Sequence, residues 1–177
     1  MRKILFAGGL TAALMFTLVV SAAVPAANFG GTWTLDKSKS ENLGRGMQGA
    51  DSVSWVITQT DKAITIDQKV TGGEQAGGPG GPGGGRGGPT GPRVYNLDGS
   101  ETTVEVGQGK AVRKAAWSSD GKTLELTTKS TFNGQNGEMT LTSTDKLQLS
   151  DDGKVLNVNS HRESPRGPQD SKLVFSK

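Results

Sequence analysis

A chain of 177 residues without a cysteine can form no disulfide, thiolate metal site or redox pair, so its stability rests on burial and hydrogen bonding alone. Its 20 Lys and Arg against 17 Asp and Glu give a formal net charge of +3, but two of the basic residues, Arg2 and Lys3, lie in an N-terminal leader without which the balance is 18 against 17. A near-neutral chain with interspersed charges lacks the broad positive field of a nucleic-acid binder.

The leader is Met1-Arg2-Lys3, an uncharged run from Ile4 to Val20, and small residues from Ser21 to Ala27. That is the order of a secretory signal peptide, over residues 1–26. Cleavage after Ala23 or after Ala26 leaves acceptable residues at −3 and −1. The expectation is an exported protein, periplasmic or secreted, with no stable membrane span after processing and no lipid-modified cysteine. The mature chain, residues 27–177, is long enough for one domain with one core.

From residue 28 onward the chain reads as short alternating segments broken by turn residues, the period-2 signal of half-buried strands, and no stretch reads as a helix. The first strand is near 31–35. Val53, Trp55 and Ile57 then alternate with polar residues, and after Thr60-Asp61-Lys62 so do Ile64 and Ile66, which predicts a hairpin of strands at 52–59 and 63–70.

The next segment, "GGEQAGGPGGPGGGRGGPTGP" (72–92), has almost nothing to bury and much backbone entropy to lose, so it is expected to be a disordered loop. It opens no helix with Gly-Lys-Ser/Thr and is therefore no phosphate loop.

Three pieces follow that resemble one another, "YNLDGSETTVEV" (95–106), "WSSDGKTLELTT" (117–128) and "LQLSDDGKVLNVNS" (147–160). Each sets Asp-Gly between alternating runs, as successive β-hairpin turns do. "FNGQNGE" (132–138) is a fourth candidate turn. The remaining strands fall near 93–97, 101–106, 110–118, 122–131, 137–149, 154–163 and 171–176, ten in all with the first three. Sequential hairpins without helices predict an all-β fold, an antiparallel up-and-down β-barrel of 8 to 10 strands that removes its edges by closing on itself, with a β-sandwich as second choice.

The inventory for catalysis is thin: one histidine, His161, and no cysteine. Alternation with Leu156 and Val158 puts His161 on the outer side of its strand, and most Asp and Glu lie in turns or on polar faces. The Asp151-Asp152 pair lacks the spaced oxygens of a calcium loop. The chain is therefore expected to be no enzyme and to need no metal or cofactor; a hydrolase with a carboxylate site is the alternative from another class.

The same parity asks what faces inward. If Leu124 and Leu126 do, so do Thr128, Ser130 and Phe132; Met139, Leu141, Leu147 and Leu149 bring Ser143 and Asp145; Leu156 and Val158 bring Ser160 and Arg162; Trp117 and Ala115 bring Arg113. An interior partly apolar and partly polar suits a ligand cavity with a few fixed polar groups, and equally a barrel mouth opening into water or a register-shifting bulge. Trp55, Arg113, Trp117, Asp145 and Arg162 are the predicted interior ligand contacts.

One short motif adds a resemblance. "NFGGTWTL", with Asn28, Gly31 and Trp33, resembles the first strand of lipocalins and fatty-acid-binding proteins, in which Gly-x-Trp closes one end of the barrel. The chain is similar to small exported bacterial proteins that open with a "GTW-L-KSKS" strand. The resemblance implies a lipocalin-like barrel over residues 27–177, a tryptophan packed near an arginine, here Arg162 or Arg166, and non-covalent binding of a small hydrophobic molecule by a monomer. The alternative function is a barrel filled by its own side chains, acting as a cell-envelope structural or interaction module.

Overall fold

The computed structural model describes residues 26–72, 91–107, 109–134, 137–165 and 167–177. The expected signal peptide at 1–26 and disordered loop at 72–92 lie almost wholly outside the described residues, and Arg166 does too. Ten strands appear in chain order: β1 (Gly31–Leu35), β2 (Ser52–Gln59), β3 (Ala63–Thr71), β4 (Arg93–Asn96), β5 (Thr102–Val106), β6 (Gly109–Trp117), β7 (Thr123–Gly134), β8 (Gly137–Leu149), β9 (Val155–Ser164) and β10 (Gly167–Ser176). A single helical turn, α1 (Arg45–Gln48), separates β1 from β2. Among the described residues no helix is long and apolar enough to cross a membrane.

All ten strands form one antiparallel sheet in the order β4-β3-β2-β1-β10-β9-β8-β7-β6-β5. The first strand pairs with the last through Leu35↔Phe175, which curls the meander into a nearly closed up-and-down barrel. The remaining gap lies between β4 and β5. The Asp98-Gly99 turn joins these two strands, yet they share no ladder, so the expected hairpin is here a corner at the barrel's seam: β4 hydrogen-bonds to β3 and β5 to β6.

The other two Asp-Gly turns do close hairpins, and by the same device. Ser118 Oγ donates to Asp120 Oδ1 at 2.6 Å and Ser150 Oγ to Asp152 Oδ1 at 2.6 Å, while Gly121 and Gly153 take the φ values of 66° and 67° that favour glycine. The serine hydroxyls hold both carboxyls below the usual carboxylate range, assisted by the backbone N–H groups of Lys122 and Lys154.

These turns mark one end of the barrel, and the segment before β1 stops it. Ala27 N–H bonds to Gly121 O at 2.9 Å, Phe29 is wholly buried, and its ring stacks on Trp117 with centroids 5.9 Å apart. Trp33, also wholly buried, donates Nε1–H to Phe29 O at 2.8 Å. The cation over the Trp33 ring is Lys177, with Nζ 4.7 Å from the centroid. Arg162, offered for that part on resemblance, is near the far end of β9 instead, because β9 enters the barrel at Val155 and climbs away from the stopper. The "DKSKS" run after β1 is a tie: Ser38 Oγ and Lys39 hold the Asp36 carboxyl at about 2, and Ser40 Oγ accepts the Val174 N–H of β10 at 3.0 Å.

Above the stopper the inner face is apolar. Ile57, Ile64, Ile66, Leu124, Leu147, Leu156, Val158 and Phe175 are each at most 3% exposed and belong to one continuous core with Trp33 and Phe29. A close-packed wall of this kind supplies most of the folding free energy of a chain with no cross-links.

Candidate functional site

Paired residues of an antiparallel ladder share a face, so the registers of β5 to β9 order the barrel interior into rows. Next to the stopper runs Trp117, Leu124, Leu147 and Val158. The following row is Ala115, Leu126, Asp145 and Ser160, and the one after it Thr102, Arg113, Thr128, Ser143 and Arg162. Beyond these come Val104, Ala111, Ser130 and Leu141, then Val106, Gly109, Phe132 and Met139. The interior therefore changes from apolar floor to polar belt to apolar lip. The lip residues Val104, Val106, Phe132, Met139 and Leu141 are half-buried, as expected where the strands reach water.

The belt continues onto the strands across the seam. Arg93 of β4 places Cζ 5.3 Å from the centre of the Trp55 ring and Nη1 3.7 Å from Asp145 Oδ2. Trp55 also donates Nε1–H to Gln68 Oε1 at 3.1 Å and packs against Phe175, 4.7 Å between centroids. Two positions on from Arg93, Tyr95 reaches into the interior, where its hydroxyl meets Thr128 Oγ1 at 2.8 Å.

Arg113 is the unusual member. Its residue is 4% exposed, and burial pushes its guanidinium below its ordinary value, with Arg93 acting in the same direction and Tyr95 against it. Among the described residues Arg113 Nε, Arg93 Nη2 and Thr102 Oγ1 are buried without a hydrogen-bond partner. An unmet buried donor costs about 1–3 kcal/mol, more on a charged group; Thr102 is the register partner of Arg113, and Arg93 is near enough to Arg113 to act on its charge. Among the described residues the charged groups of the belt that are not exposed are Arg93, Arg113 and Asp145, Arg162 of the same row being exposed, so the interior carries one positive charge in excess. This arrangement suits an anionic group brought in from outside.

Of the predicted contacts, the structure brings Trp55 and Asp145 to either side of Arg93 and sets Arg113 in the same belt. Trp117 lies at the stopper against Phe29, away from the belt. Arg162 belongs by parity to the row of Arg113, but it is exposed, although β9 is paired there with Ser143 of β8 and Gln169 of β10. Arg93, Tyr95 and Thr102 went unpredicted. Their strands are short and follow the Gly/Pro-rich segment, yet Arg93 and Tyr95 share a parity, and an inward Tyr95 would have brought Arg93 with it.

A second feature lies on the outer face, where Glu41, Lys146, His161, Asp170 and Lys172 help to line an open groove of about 450 Å³. His161 Nδ1 sits 2.7 Å from Asp170 Oδ1 and Nε2 3.6 Å from Glu163 Oε1. The hydrogen bond to Asp170, chiefly, raises the His161 pKa above its ordinary 6.5. Among the described residues no group of three or more His, Asp or Glu is placed to hold a metal ion.

No protein-family model matches the chain, nor does any curated protein. A solved structure named "REP1-NXSQ fatty acid transporter" is similar in fold, with a TM-score of 0.50 and 12% identity over 84% of this chain and 94% of that one. The likeness is one of fold, a nearly closed antiparallel up-and-down barrel, which is the architecture that the Gly31-x-Trp33 strand implied.

Proposed function

We propose that the mature chain is an exported, non-enzymatic barrel that binds a small amphipathic molecule, its acidic group on Arg113 and Arg93 and its apolar part along the lip. The observation that carries this reading is Arg113, 4% exposed with Nε unmet, set between the apolar floor and the half-buried Val104, Phe132 and Leu141. Arg113 presents donors in a planar fork that fits a carboxylate or sulfate. The likeness in fold to a protein named as a fatty acid transporter agrees with an apolar tail. Trp55, beside Arg93, supplies a fluorescent reporter.

The test is a titration of tryptophan emission with octanoate, dodecanoate and 1-dodecanol. Saturable changes with the acids and a much weaker response to the alcohol would support the reading. No response to any of them would turn the case to the second reading, a barrel filled by its own side chains and serving as an envelope module. That alternative is favoured by the completely buried apolar floor and by the open, solvent-facing character of both surface depressions, at Glu41–Lys172 and Glu105–Glu138. Export is tested by N-terminal sequencing, which should find the mature start between residues 24 and 28.

A further inference from the structure

We infer that Asp145 sets the charge of the ligand, restricting the interior to a single negative charge. The inference rests on the proposed binding reading and concerns the same site. Asp145 is 8% exposed and faces the interior from β8, in the row beside that of Arg113. Its carboxylate lies 3.7 Å from Arg93 Nη1, so an anion lying between the two guanidinium groups sits close to a fixed negative charge.

Two guanidinium groups and one carboxylate leave one charge to neutralise. A monoanion completes the balance in a poorly solvated interior, where uncompensated charge is costly. A dianion overshoots it and meets the repulsion of Asp145, which water does little to screen at that depth. With Asp145 replaced by a neutral isostere, the belt carries two positive charges, and a dianion becomes the better match. If Asp145 served only as a structural counter-ion to Arg93, its loss would weaken the fold and all ligands together without changing the ratio between them.

The experiment compares two probes with the same tail, octyl sulfate, a monoanion throughout, and octyl phosphate at pH 8.5, where a phosphate ester with a second pKa of about 6 is a dianion. Affinities for the mature protein are read from tryptophan emission below the aggregation threshold of the probes. The expected result is octyl sulfate bound at least about tenfold more tightly by the wild type, a preference that Asp145→Glu keeps and Asp145→Asn reduces to about twofold or reverses. Equal binding of the two probes by the wild type overturns the inference without need of a variant, and so does a ratio unchanged in Asp145→Asn. Binding of both probes without charge preference leaves the barrel a binder and removes the selector alone. No binding of either probe or of octanoate removes the reading beneath it, and the selector with it.

Discussion

The hydroxyl of Tyr95 and Oγ1 of Thr128, 2.8 Å apart, join β4 to β7 through the barrel interior, although these strands are not neighbours in the sheet. The contact spans the seam that the β4–β5 corner leaves open. Tyr95→Phe keeps the ring and strands Thr128 Oγ1, so it should cost about 1–2 kcal/mol in urea unfolding. In Tyr95→Phe with Thr128→Val, part of that loss should return, and the double-mutant cycle should give a coupling of about 1 kcal/mol. Zero coupling would mean that the seam is not held by this pair.

Trp33 is wholly buried and its indole N–H holds Phe29 O, so Trp33→Ala should cost about 3–5 kcal/mol, as for other buried aromatics. The stopper lies under the floor and away from the belt. Ligand affinity measured on the folded fraction should therefore change little, and a variant as stable as the wild type would show that the barrel's closed end is elsewhere.

Much of this architecture was legible because period-2 alternation records burial directly. Val53, Trp55 and Ile57 alternate with polar residues in sequence and point inward in the structure. Ten strands were expected and ten are present among the described residues. The misplaced boundary at β10, which begins at Gly167 and not near 171, has a physical reason. Gly167 and Pro168, outside the expected 171–176, pair with β9 on one side only, an edge that tolerates proline. The candidate site was less legible. Parity placed Arg113 and Asp145 in the interior, but the pairing of β4 across the seam depends on closure of the whole sheet, which no local pattern encodes, and so Arg93 and Tyr95 were missed. Parity also cannot tell how far along a strand burial extends, so Arg162 shares the parity of buried Val158 and is nevertheless exposed.

His161 is the only histidine in the chain, so its NMR titration is unambiguous. Its folded pKa should lie above 6.5, because the hydrogen bond to Asp170 favours the imidazolium, and Asp170→Asn should bring it back toward that value. The sign for stability follows: the β9–β10 contribution is fully present below the unfolded pKa and is lost as pH rises through the folded one. A pKa at or below 6.5 in the wild type would contradict the 2.7 Å contact between His161 Nδ1 and Asp170 Oδ1.

Arg113→Met should separate stability from binding. The substitution removes a buried, incompletely bonded cation and leaves Asp145 its partner Arg93, so the fold should be unchanged or gain up to about 2 kcal/mol. Affinity for octanoate should fall at least about tenfold, since hydrogen bonds to a charged group are worth about 1.5–3 kcal/mol. A variant destabilised by several kcal/mol would show that Arg113 serves the fold first.

The most direct measurement follows the Nε–Hε resonance of Arg113 by arginine-selective NMR, assigned by its loss in Arg113→Met, as octanoate is added to the mature protein. An interior anion site gives a saturable shift of this resonance, together with that of Arg93, at the concentrations that change tryptophan emission. An Arg113 signal that stays in place while resonances of His161 and Lys172 move would put the ligand in the outer groove and contradict an interior anion site.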